Sequence, residues 1–465
     1  MKIRISNIVC QIVEATPEEI AQVGRCLSYV DKRKSWQNYQ FSGTYQPIYR
    51  SLLTRNSFPT GLLFLIQREF PYATYEDLRI LEEPRWLPIP SELDYRGGHQ
   101  RRAVMVMQRE RRGTIDGVTS MGKSFLMAGF AATYPGYSLI LCHRKEIFET
   151  IYNRCCSLIP PDKVGVIRSG RIDPRRVTVA MVGTLAPRIQ QKTTRDFLRR
   201  VGAVLVDEAH HIGIGTQYTK VLTACSNATF RFGLTGTPFR ESDTIAIFAY
   251  TGPIIFSYKF QDALEDGVVV PIKVFICTLD APIYDMPLNQ VFRYIYDYGI
   301  VRNKRRNAAI ARIAERLYNK GENALILVWR KEHGRLLEKM IKNLGVDCAF
   351  IHGTSVHRSI EKERFERGER EILIASDIFS EGVDVQNIQN LIIADGYKSR
   401  RLVMQKVGRA LRPHPNKSYA RIFDFWDNAH HILTRHSAAR LRAYKKFTQD
   451  IHQLRIDPSL LSGAD

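Results

Sequence analysis

Gly117-Val118-Thr119-Ser120-Met121-Gly122-Lys123-Ser124 is the stretch on which the reading of this chain turns. It has the pattern G-x-x-x-x-G-K-S of the phosphate loop of ATP-hydrolysing proteins. Its glycines let the backbone turn tightly enough for successive N–H groups to face one phosphate chain. Lys123 adds a mobile positive charge for the β- and γ-phosphates, and Ser124 adds a hydroxyl that can ligate Mg²⁺. The apolar Phe125-Leu126-Met127-Ala128 that follows predicts a helix, whose N-terminal partial charge adds to the anion site. A Gly-rich surface turn beside a lysine is the plain alternative, so support has to come from the rest of the chain.

On both sides of this loop, strand and helix patterns alternate. Short apolar runs at 137–142, 177–182, 201–206 and 230–234 end in His143-Arg144-Lys145, Gly183-Thr184, Asp207-Glu208-Ala209-His210 and Thr235-Gly236-Thr237-Pro238. Continuous apolar strands between helices indicate a parallel sheet covered on both faces, with ligands at the strands' carboxyl ends. A second run begins near Val270. Strands at 321–329, 347–351, 371–376, 390–394 and 420–425 include or lead to Trp329-Arg330, His352-Gly353 and Ser376-Asp377. This half carries no phosphate loop. The expected fold is α/β: two tandem parallel-sheet domains at 89–268 and 269–428, behind a small α+β domain at 1–88. A basic helix or tail at 429–465 reads as a solvated charged face.

Within 1–88, Thr16-Pro17-Glu18-Glu19 is a capping box with proline at the first helical position, and the helix it starts should run to about Val30. A second helix is expected over 60–70 and a short strand near 78–81. Residues 32–56 mix basic and aromatic side chains. These could grip nucleic acid by charge and stacking, or simply form the domain's core. Pro84, Pro88 and Pro90 punctuate a linker.

Composition bears on partners. The 465 residues carry 68 Lys+Arg against 47 Asp+Glu, a net charge of +21. The basic residues are spread along the chain, which suits a polyanion, nucleic acid first. No apolar run is long enough to span a bilayer and Met1–Ile5 has no signal-peptide core, so a cytoplasmic protein without membrane contact is expected. Eight cysteines form no C-x-x-C pair, which favours buried reduced thiols over a metal site.

Asp207-Glu208 carries the second half of the chemistry. Transfer of a phosphoryl group to water needs a metal clamp and a group that orients the water. Asp207 suits the Mg²⁺ partner and Glu208 the water-positioning base. In Gln405-Lys406-Val407-Gly408-Arg409-Ala410-Leu411-Arg412, helical spacing puts Gln405, Arg409 and Arg412 on one face. Two arginines presented together can stabilise charge developing on the γ-phosphate. They come from the second half of the chain and the loop from the first, as a motor requires.

Taken together, these motifs resemble superfamily 2 helicases over roughly residues 93–427. The resemblance implies two RecA-like domains, ATP and Mg²⁺ as cofactors, and nucleic acid as partner. Gln100 resembles the adenine-reading Q motif. Gly117, Thr119, Ser120, Met121, Gly122, Lys123 and Ser124 resemble motif I, with Ser120 in place of a usual glycine. His143, Arg144, Lys145, Gly183 and Thr184 resemble strand-contacting motifs, as do Trp329, Arg330, His352, Gly353 and Ser376. Thr235 and Thr237 resemble the coupling motif. Gly382 and Asp384 resemble motif V on the nucleotide side, and Gln405, Arg409 and Arg412 resemble motif VI. The resemblance is greatest to the phage branch-migration helicases of the UvsW type. It implies work on forked or four-way DNA in replication, recombination and repair, by a protein acting as a monomer. An RNA-dependent ATPase, a restriction-type translocation subunit and a scaffold with a decayed ATP site are the alternatives.

Overall fold

The computed structural model describes residues 1–31, 34–35, 37–38, 46–94, 98–236, 241–279, 291–355, 357–376, 387–397, 408, 413–414 and 417–457. Thr237, Gly382, Asp384, Gln405, Arg409 and Arg412, named above, lie outside the described residues. The chain divides into two compact units, Met1–Lys259 and Phe260–Asp465.

The first unit opens with an antiparallel pair, β1 Lys2–Ile5 and β2 Val9–Glu14. Alternation buries Ile3, Ile5, Cys10 and Ile12 on one face. The helix Pro17–Cys26 starts at the expected capping box: the Glu19 N–H donates to Thr16 Oγ1 (3.2 Å), and the Thr16 N–H donates to Glu19 Oε2 (2.8 Å). It ends four residues short of Val30, because β3 Ser28–Val30 leaves it to pair with β4 Tyr49–Ser51. β5 Ser57–Pro59 joins β2, and β6 Thr74–Asp77 lies parallel to β1, giving the order β5-β2-β1-β6. The strand expected at 78–81 is therefore β6, one step upstream. The polar Thr-Tyr-Glu-Asp makes a sheet edge, while Ile80 stays 73% exposed.

The core of this small sheet does not close on itself. Ala249 of the helix Glu241–Thr251 is buried in the same cluster, with Ile245, Phe248 and Tyr250 packed against it. Phe64 meets Phe248 edge-on at 5.7 Å. Packing is thus continuous across the expected boundary at 88. The Pro-rich linker is pinned too: Trp86 packs among Phe130, Tyr134 and Phe230, 5.1–5.9 Å between ring centroids.

The main sheet of the first unit uses β7 Arg112–Gly117, β8 Tyr137–Cys142, β9 Val164–Arg168, β10 Arg171–Asp173, β11 Val177–Met181, β12 Val201–Val206, β13 Phe230–Thr235 and β14 Ile254–Tyr258. Their order is β10-β9-β11-β8-β12-β13-β7-β14, parallel throughout except for the edge pair β10/β9. The central strand β12 is buried at every position.

The second unit holds a seven-stranded, wholly parallel sheet: β15 Ile272–Leu279, β16 Ala324–Val328, β17 Cys348–Ile351, β18 Ile372–Ser376, β19 Asn390–Ile393, β20 Ala420–Trp426 and β21 Ile451–Ile456. The order is β17-β18-β16-β19-β20-β15-β21. The expected basic tail is corrected here, because β21 completes this sheet and the helix His431–Tyr444 packs under it. Arg440, read as part of a solvated face, is fully buried. Its guanidinium Nε donates to both Asp424 oxygens (2.9 and 3.1 Å) and its Nη2 to Asp427 Oδ2 (3.1 Å). Those partners lie 16 and 13 positions upstream, beyond the reach of helical periodicity.

Candidate functional site

The parallel order of the first sheet brings the carboxyl ends of β7, β8, β11, β12 and β13 to one edge, where an open α/β sheet binds ligands. The phosphate-loop stretch follows β7. A 3₁₀ turn, Thr119–Met121, leads to Gly122 at φ 78° and ψ 41°, and the helix Lys123–Thr133 begins directly after it. This left-handed conformation costs a non-glycine residue roughly 1 kcal/mol or more, so the second glycine of the pattern has a backbone reason.

Met121, unusual for such a loop, is its anchor. Its side chain is fully buried, with Sδ against Gly117. Its carbonyl accepts from Gln100 Nε2 at 2.9 Å and from His99 Nε2 at 3.0 Å. Both donors sit in the first turn of the helix His99–Glu110. His99 in turn stacks on Tyr258 at 4.3 Å, and the Val118 N–H donates to the Tyr258 carbonyl at 3.0 Å. Two elements far apart in sequence therefore hold the loop open around Lys123. Without coordinates, the only hint of this was Gln100; His99 and Tyr258 carry no motif.

Asp207 and Glu208 leave β12 at the same edge. Asp207 is 5% exposed and Lys123 7%. Glu208 takes φ 47°, ψ 55°, which turns its side chain away from the strand direction. Burial alone would raise the pKa of Glu208. The hydrogen bond from His210 and the positive charges of Lys123, His210 and His211 overcome this and hold the carboxyl well below its usual range. His210 Nδ1 lies 3.2 Å from Glu208 Oε2 and 3.2 Å from Thr235 Oγ1. The site thus gathers Lys123, Asp207, Glu208, His210 and Thr235, four of which the sequence reading had assigned. Asp116, at the end of β7, pairs with Lys259.

Among residues expected to touch a strand, His143 follows β8, with its ring 4.1 Å from that of His211. Gly183 and Thr184 lie in the short helix Val182–Leu185 after β11. In the second unit Trp329 follows β16 and is 39% exposed. Arg330 lies over the rings of Tyr296 and Trp329 at 5.5 and 5.8 Å. His352 and Gly353 form a turn after β17, with Thr354 Oγ1 3.1 Å from His352 Nδ1. Ser376 ends β18 and is 3% exposed. Each unit therefore collects its own set on the carboxyl edge of its own sheet.

The donor set suits a nucleoside triphosphate with its metal. The loop ends at a helix N-terminus, its lysine is buried beside a carboxylate, and a second carboxylate stands next in sequence. No helix among the described residues is long and apolar enough to cross a membrane.

Comparison with known proteins agrees. A family model described as "Type III restriction enzyme, res subunit" matches residues 77–240, and one described as "Helicase conserved C-terminal domain" matches residues 306–414. Together they take in more than half of the chain. The ATP-dependent DNA helicase uvsW of Enterobacteria phage T4 is 26% identical over 405 residues, 80% of this chain and 79% of the relative. The putative ATP-dependent helicase IRC3 of Saccharomyces cerevisiae is 28% identical over 305 residues, 62% of this chain and 43% of the relative. A fragment of a putative HsdR subunit of a type I restriction enzyme from Vibrio vulnificus shares the fold, with TM-score 0.59 over 92% of this chain and 82% of that one at 16% identity. The fold and the matches define an ATP-dependent motor enzyme with two RecA-like domains. The chain belongs to the superfamily 2 helicases.

Proposed function

We propose that this helicase is a DNA-dependent ATPase that unwinds or branch-migrates forked and four-way DNA in replication, recombination and repair. The observation that carries the motor reading is the meeting of Lys123, Asp207 and Glu208 at one sheet edge, with Glu208 held ionised. Bound ATP with Mg²⁺ would supply the phosphoanhydride whose cleavage drives the motor. In that reading the loop N–H groups and Lys123 bind the phosphates. Ser124 and Asp207 hold the metal, and a Glu208 carboxylate oxygen orients the water and accepts its proton. Arg409 and Arg412 add positive charge for the γ-phosphate, the neutral Gln405 shares their face, and Gly382 and Asp384 belong to the nucleotide side. Thr235 and Thr237 couple hydrolysis to the strand. Motor contacts go mainly to phosphates, which makes binding selective for structure rather than sequence.

DNA as the polymer is supported by the similarity to the phage T4 DNA helicase and by the net charge of +21. The protein would act as a monomer in the cytoplasm. A second reading, the translocation subunit of a restriction-type complex, is favoured by the name of the family model over 77–240. ATP turnover measured with forked DNA, linear duplex and single-stranded RNA separates the readings. Forked DNA should stimulate most. Greater stimulation by RNA would overturn the DNA assignment, and stimulation by linear duplex alone would favour the translocase.

A further inference from the structure

We propose that the cleft between segment 291–302 and Arg330–Glu332 in the second unit binds one base-plus-phosphate unit of a single nucleic-acid strand, an inference that rests on the helicase reading above. The helix Phe292–Tyr296 runs directly into a π-helical turn, Asp297–Val301. Such turns are rare and frequent at functional sites. This one is firmly seated: Ile295, Tyr296 and Ile300 are buried together with Leu433. The Tyr296 hydroxyl donates to the Asp395 carbonyl at 2.6 Å, just beyond β19. The segment is thereby fixed to the carboxyl edge of the second sheet, where Trp329 follows β16.

The outer face of the segment is not accounted for by the core. Tyr294 and Tyr298 are 42% and 48% exposed, with ring centroids 4.3 Å apart. Two rings packed against each other with their planes tilted by 39° brace one another and leave outer aromatic faces on which any base can stack. Tyr294 lines a cleft of about 350 Å³ together with Arg293, Asp297, Arg302, Arg330 and Glu332. Asp297 holds Arg302 Nε at 2.8 Å and Arg330 Nη1 at 3.6 Å, and Glu332 takes Arg302 Nη2 at 3.4 Å. Three guanidinium groups against two carboxylates leave the cleft cationic, and the carboxylates hold two of the guanidiniums in place. An aromatic wall beside positioned arginines recognises a base and its phosphate together. The volume falls within the range of roughly 300–1,000 Å³ typical of small-molecule sites. No motif marked Tyr294, Tyr298 or Arg302.

The test uses the whole protein and a single-stranded oligonucleotide carrying 2-aminopurine, whose emission falls when it stacks on an aromatic ring. The pair Tyr294→Ser with Tyr298→Ser is compared with Tyr294→Phe and Tyr298→Phe, and melting temperatures check that all variants fold. The serine pair should bind about tenfold more weakly and lose the quench, while the phenylalanine pair keeps both. Wild-type binding and quench in the serine pair would overturn the subsite and leave the helicase reading standing. A wild-type protein that binds neither DNA nor RNA would overturn the helicase reading itself. Displacement of the quenched oligonucleotide by free AMP as readily as by unlabelled strand would overturn the strand assignment in favour of a mononucleotide site.

Discussion

His210 Nδ1 lies 3.2 Å from the Thr235 hydroxyl, so the ring after β12 touches the last residue of β13. The same nitrogen is 3.2 Å from Glu208 Oε2, which places one imidazole between the Glu208 carboxylate and the Thr235 hydroxyl. A change at either end can reach the other through a single ring.

The pH dependence follows from this contact. The folded pKa of Glu208 is depressed from its ordinary 4.5 to about 2, so the carboxylate's contribution to stability is present above pH 4.5 and is lost as pH falls towards 2. His210→Ala removes the main lowering influence and lets burial raise the pKa. The acid limb of ATP turnover should move towards neutral pH and turnover near pH 7 should fall, by no more than the ~10²-fold that loss of an acid–base contribution typically costs at its lower end. A pH–rate profile superimposable on wild type would show that His210 does not govern Glu208.

Gln100→Glu replaces the donor that faces the Met121 carbonyl with an acceptor. Losing one hydrogen bond and adding repulsion costs the loop about 1–3 kcal/mol. Amide hydrogen exchange over 117–124, measured without nucleotide, should accelerate. Unchanged exchange would mean that the loop holds its shape without Gln100.

The packing of the N-terminal sheet makes a prediction about Gly61. A methyl group there would fall well inside van der Waals contact of the Phe248 and Ala249 carbonyl oxygens, where no side chain can yield. Gly61→Ala should cost about 1–3 kcal/mol and lower the melting temperature by several degrees. Removing residues 1–88 outright should lower it further, because Ala249 and Phe248 lose their cover. A truncated chain as stable as the full one would show that the two parts pack independently.

Arg440→Leu leaves Asp424 and Asp427 buried without their guanidinium, although Arg306 Nε still meets Asp427 at 2.7 Å. Breaking a buried pair from one side typically costs about 3–5 kcal/mol. Urea unfolding should show a loss of that size, and a loss within about 0.5 kcal/mol would restore the solvated-face reading.

Much of the architecture was legible because the central strands are short, mostly apolar and each end in a polar motif. Strands β8, β11 and β12 carry that mark most fully, while β7, Arg112–Gly117, and β13, with Arg231 inside it, were placed by the motifs that follow them. In the two large sheets the strands missed, β9, β10, β14, β15 and β21, lie at or next to sheet edges, and at β10, β14 and β21 burial is incomplete and the pattern fades; in the small N-terminal part the three-residue strands β3, β4 and β5 are too short to show a period. Lys123, Asp207 and Glu208 could be assigned from sequence because their spacing to a strand end is local. His99 and Tyr258 could not, nor could the anchoring of Met121, since these contacts join residues 21 to 159 positions apart. Arg440 was misread for the same reason: a charge on a helix counts as solvated until its distant partners are known.

In the proposed motor, Lys123 and Glu208 drive work on branched DNA. Strand separation of forked and four-way DNA, followed in parallel with ATP binding, tests it most directly. Wild-type protein should process both substrates faster than simply tailed duplexes, and only with ATP. Lys123→Ala should process neither, and Glu208→Gln should bind ATP yet process neither. Unwinding by Lys123→Ala, or wild-type activity confined to RNA duplexes, would contradict it.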